Sequence, residues 1–112
     1  MNDDIEQIEL SIKEAEAKVE RRDQLAKLHG NKAFRELIVD GYFKDNAVRL
    51  VSAYGDPNAA PFQAELLKDI EAVGRLQQYF RTIYQQGDAA ARAIIEAREE
   101  LEGIRAEDEE LA

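Results

Sequence analysis

The chain has no cysteine, a single histidine, two prolines and, apart from tyrosine, only three hydroxyl side chains, Ser11, Ser52 and Thr82. Without cysteine there is no disulfide, no thiolate metal site and no thiol nucleophile, and the composition fits a reducing compartment. A Ser-His-acid arrangement is compositionally available, but no spacing sets Ser11 or Ser52 against His29 in a pocket. Glycines occur singly, so no phosphate-cradling loop is present. Carboxylates are plentiful, yet the E-x-x-H pattern of di-iron bundles is missing and the acids lie mainly off the apolar seams. Weak divalent-ion binding at the acidic ends therefore stands against plain surface charge. No apolar run approaches the ~20 residues that span a bilayer. The opening MNDDIEQIEL is acidic, opposite to the basic start of a signal peptide. These absences set the expectation of a soluble, intracellularly made protein with no catalytic residues, no cofactor, no metal and no membrane contact.

What is present is charge and helical periodicity. The 112 residues give room for one domain with a modest core, and 35% charged with 45% apolar residues suits long helices. The formal charge of −9 is concentrated at the ends. Residues 1–20 hold seven acids and two lysines, and residues 96–112 hold eight acids and two arginines; the middle is +2. Such ends should be repelled by free nucleic acid and anionic membrane, so no direct nucleic-acid partner is expected. Arg75, Arg81 and Arg92, beside Tyr79 and Tyr84, are too few to reverse that on an acidic protein.

The periodicity predicts a first stalk helix over 3–29, with Ile5, Ile8, Ile12, Ala15, Val19 and Ala26 at heptad seam positions and Arg22 in one seam slot. Asn2 or Asp3 fits as its cap, and Gly30 is expected to end it in a left-handed turn. A second, longer stalk helix is expected over 61–107, starting near Pro61, with an acidic tail over 108–112. Its seam reads Leu66, Val73, Phe80, Gly87, Ile94, Leu101 in one position and Asp69, Leu76, Ile83, Ala90, Ala97, Ile104 in the other. A break near QQGD, residues 85–88, with Asp88 restarting the helix, is an alternative to a continuous run. Two short helices, 32–39 capped by Asn31 and 46–54 capped by Asp45, are expected between, separated at Gly41. Phe34, Leu37, Ile38, Val48, Leu50 and Val51 are read as facing inward.

No stretch shows strand alternation, so the fold expected is all-α. It is an antiparallel helical hairpin with a coiled-coil-like stalk and, over 30–60, a small helical head. All eight aromatics lie between 34 and 84 and are expected to fill the head core. Asp69, a carboxylate in a seam slot, either pairs with Arg22 or Arg49 or faces solvent at the edge; the second reading needs no matched buried geometry. In the GYF triplet at 41–43, Tyr42 and Phe43 either seal the core or emerge from a turn as an aromatic anchor. The candidate partner-binding residues are Tyr42, Phe43 and Tyr54 in the head, with Glu99, Glu100, Glu107 and Asp108 at the acidic end.

The stretch FRELIVDGYFKDNAVRLV (34–51), followed by GRLQQYFRTI (74–83), resembles a group of small acidic, cysteine-free helical proteins encoded by tailed bacteriophages among their virion structural genes. The resemblance runs from about Asn31 to Gln86, with the acidic flanks matching in character only. It implies a virion component or assembly factor, in the virion or in the host cytoplasm during assembly, with capsid, portal or tail proteins as partners. It carries no catalytic residue. A homo-oligomer is compatible with the exposed seams. A second reading, a phage-encoded acidic inhibitor of a host nucleic-acid-binding machine, fits the charge and size, although the acids gather at the ends and not along one face.

Overall fold

The computed structural model describes residues 2–111, the side chain of Asn2 excepted, so Asn2 as a cap and the final residue of the expected tail lie outside the described residues. Among these residues the fold is all-α, a helical hairpin in which only Gly30, Asn31, Gly55 and Asp56 stand outside helices. The elements are α1 (Asn2–His29), α2 (Lys32–Phe34), a π-helical segment (Arg35–Asn46), α3 (Ala47–Tyr54), a 3-10 turn (Pro57–Phe62) and α4 (Gln63–Leu111).

The chain forms two compact units. One joins the residues up to Gln24 with those from Ile83 onward; the other is Leu25–Thr82. In the first unit the two arms run antiparallel. Arg22 pairs with Asp88 at 3.0 Å, Glu16 with Arg98 at 3.4 Å and Glu9 with Arg105 at 3.4 Å, partners rising along one arm as they fall along the other. Ile83, Ala90, Ile94 and Leu101 are buried on the α4 side, where the expected seam holds. Facing them, Ile5, Ile8, Ile12, Ala15 and Val19 are half-buried.

α4 is one helix through Gly87, so Asp88 does not restart it but serves as the partner of Arg22. It begins two residues after Pro61, which sits inside the preceding 3-10 turn, and it continues past 107 to Leu111. Gly30 takes no left-handed conformation; its N–H donates to the carbonyls of Ala26 and Lys27, both at 3.1 Å. The turn after α1 is fixed by Asn31, whose Oδ1 accepts from the Phe34 N–H at 3.0 Å.

The second unit departs most from expectation. The helical run from Lys32 to Tyr54 does not stop at Gly41, and Asp45 caps nothing because both residues lie inside the π-helical segment. Leu37 and Val48 are 72% and 63% exposed, and Val51 is 59% exposed, so these three do not face inward. Phe34 and Ile38 are half-buried and Leu50 is buried, as expected, and Val39, Gly41, Tyr42, Phe43, Asn46 and Ala47 are half-buried with them. The spacing of four to five from Phe34 through Ile38/Val39 and Tyr42/Phe43 to Ala47 follows the wider π turn, in which each N–H bonds the carbonyl five residues back. In the α1 seam, Leu25 is buried and Ala26 exposed, so the heptad spacing shortens by one residue after Arg22.

Candidate functional surfaces

In the unit formed by Leu25–Thr82, Phe80 of α4 gathers the rings. His29, the last residue of α1, meets it edge-on at 5.7 Å and meets Phe34 at 5.2 Å; Phe43 meets it at 5.8 Å. Edge-to-face packing at these separations is favourable beyond simple area burial. His29 also sets its Nδ1 3.1 Å from the Leu25 carbonyl. The only histidine thus packs in a ring cluster at a helix end. Ser11 belongs to the other unit, where its hydroxyl donates to the Ile8 carbonyl at 2.9 Å. The expectation that all aromatics fill one core is corrected: Tyr54, Phe62 and Tyr79 are exposed, and Tyr84 belongs to the other unit.

Of the three aromatic candidates, Tyr42 and Phe43 are half-buried neighbours with ring centroids 5.7 Å apart. They do not emerge from a turn. Phe43 is held against Phe80, whereas Tyr42 lines a cleft of about 160 Å³ with Asn46, Arg49, Leu50, Asp69 and Ala72. That volume is below the ~300 Å³ of small-molecule sites. Within it the Arg49 Nη2 donates to Asn46 Oδ1 at 2.7 Å. Asp69 is exposed and makes no ion pair among the described residues, which removes its pairing with Arg22 or Arg49. Tyr54 is 40% exposed at the end of α3, beside the exposed Val48 and Val51. α3 thus buries Leu50 and leaves an apolar strip outward. Both valines, expected in the core, belong to this strip because apolar character alone does not tell the inward from the outward face of so short a helix.

The acidic candidates belong to the arm pair. Glu99, Glu100 and Glu107 are exposed and Asp108, one heptad after Leu101 in the same seam position, is half-buried. Glu100 lines an open hollow with Asp4, Gln7, Ile8, Ser11 and Ile104. Among the described residues no group of three or more His, Asp or Glu side chains is arranged to hold a metal ion, and no helix is long and apolar enough to cross a membrane.

Arg22 is the polar seam residue with every guanidinium nitrogen engaged. Its Nη1 reaches Asp88 at 3.0 Å, and its Nε and Nη2 both reach Asp23 at 3.1 Å. Its pKa is raised above the ordinary arginine value, first by the Asp88 hydrogen bond and then by Asp23, so it stays charged at any working pH. The aliphatic stem of Arg22 lies directly over buried Gly87, where a Cβ would stand closer than any van der Waals contact to Arg22 Cβ, Cγ and Cδ.

No protein-family model, no curated protein and no solved structure matches the chain.

Proposed function

We propose that this is a non-enzymatic bacteriophage virion structural or assembly protein, working through contacts with capsid, portal or tail proteins. The observation that carries the reading is the concentration of exposed apolar side chains in Leu25–Thr82. Among the described residues, eight of the eleven exposed large hydrophobics lie in that unit, Leu37, Val48, Val51 and Phe62 foremost. This unit holds eight basic and seven acidic residues, so its near-neutral surface does not oppose association with an acidic or a basic partner. An outward apolar strip such as Val48, Val51 and Tyr54 on α3 suits contact with another protein. The same unit carries most of the resemblance to phage virion-gene products. In a particle with many copies, weak contacts of this kind add through avidity.

Quantitative mass spectrometry of purified virions and of capsid precursors tests the reading. The protein is expected in one or both at a fixed stoichiometry. Absence from both, together with impaired host defence or transcription when the chain is expressed alone, would instead support the acidic inhibitor.

A further inference from the structure

The two sides of the arm pair differ. The ion pairs between the arms use Glu9, Glu16, Arg22, Asp88, Arg98 and Arg105. None of these side chains lines three hollows on the other side of the arms, which adjoin one another by sharing Ser11, Glu14, Lys18 and Gln86 and have volumes of about 310, 350 and 390 Å³. The hollows form one open trough, and its middle is floored by small residues, Ala15, Ala89, Ala90 and Ala93. α1 has no fully buried residue between Asp3 and Gln24, although its seam is isoleucine-rich. An amphipathic helix whose seam stays half-open is only partly satisfied by a single partner helix.

The charges along the trough select its occupant. On α1 the polar edge reads Asp4, Gln7, Ser11, Glu14, Lys18, Arg21, acid first and base last. Among the described residues Glu14, Lys18 and Arg21 make no ion pair within the chain. A second α1 laid antiparallel reverses the order, so each Glu14 meets the Lys18 and Arg21 end of the other copy. A two-fold axis requires this kind of self-complementarity. A parallel copy would instead bring Asp4 of one α1 toward Glu100 of the other α4, since these acids line the same hollow.

We infer that the open trough of the arm pair is a dimer interface, on which a second copy of this chain lies antiparallel, α1 on α1 and α4 on α4, as a four-helix bundle. The alanines let the helix pairs approach closely, and the distance between axes follows the size of the side chains at the contact. The opposed Glu14 and Lys18/Arg21 set the direction and register.

Sedimentation equilibrium of the full chain, with circular dichroism as a folding control, tests this. The wild type is expected to reach the mass of two chains at micromolar concentration. Glu14→Lys should weaken the dimer at least about tenfold while remaining helical, because like charges then face each other. The triple swap Glu14→Lys/Lys18→Glu/Arg21→Glu should restore it. Oxidation of Ala93→Cys, in a chain otherwise free of cysteine, should give a covalent dimer, whereas Ile95→Cys, exposed outside the trough, should not. A monomer at all concentrations, a dimer indifferent to Glu14→Lys, or preferential crosslinking through Ile95→Cys would each overturn the inference.

Discussion

Gly87 is buried between the arms with the stem of Arg22 lying on it, and the Cβ of Arg22 is fixed by its own backbone. Gly87→Ala therefore forces the helices apart locally. The gain in helix propensity from alanine is outweighed, and chemical denaturation should show a net loss of about 1–3 kcal/mol. Gly74 and Gly103 are exposed within the same helix, and a Cβ at either meets nothing within 4 Å. Alanine at either position should stabilise by about 0.5–1 kcal/mol, the ordinary helical difference. Rings separate in the same way. Phe80→Ala removes the ring that His29, Phe34 and Phe43 pack on and should cost about 3 kcal/mol, whereas Tyr79→Ala, next to it and exposed, should cost under about 1 kcal/mol.

The π-helical segment decides which side chains of FRELIVDGYFKDN serve the core. An α reading, with a stop at Gly41 and a new cap at Asp45, turns Phe34, Leu37, Ile38, Val48, Leu50 and Val51 inward, and so appoints three apolar residues, Leu37, Val48 and Val51, that the structure leaves outside. A π reading steps from Phe34 to Ile38/Val39, Tyr42/Phe43 and Ala47, all of them half-buried, as Gly41 and Asn46 between them also are. Gly41 sits at the midpoint, and a Cβ there would press on the Glu36 carbonyl, five residues back, at 3.0 Å. Glutamate substitution should separate the two phases: Leu37→Glu costs under about 0.5 kcal/mol and Ile38→Glu about 2 kcal/mol or more in urea unfolding. Equal penalties would contradict the π phase. This is where the sequence was least legible. The seams of α1 and α4 repeat at heptad spacing, so their existence, their antiparallel pairing and nearly every buried position of α4 could be read directly. The middle segment has a different period, and a glycine followed by an aspartate mimics a helix stop and a new cap. The Asp88 partner of Arg22 was also invisible, because a QQGD stretch reads as a break and the pairing depends on cross-arm register. The outward strip of α3 followed from the same misjudged phase.

At the scale of the molecule, charge and apolar exposure are divided between the two units. The arm pair carries a formal −10, relieved by inter-arm ion pairs whose groups are largely exposed. Exposed pairs contribute about 0–1 kcal/mol each, too little to cancel the repulsion among so many carboxylates. Added salt screens both, and the repulsion is the larger, so the melting temperature should rise from low to physiological ionic strength; a fall would mean that the ion pairs dominate. The Leu25–Thr82 unit is near neutral and carries most of the outward large apolar side chains among the described residues, which suits it for contact with another protein. The most direct measurement of that claim is the copy number of the protein in purified particles and capsid precursors, for the wild type and for Val48→Glu/Val51→Glu on the open strip of α3. The account predicts a double variant that folds with wild-type helicity and melting temperature yet is depleted from particles about tenfold or more. Wild-type occupancy by the folded variant would contradict it.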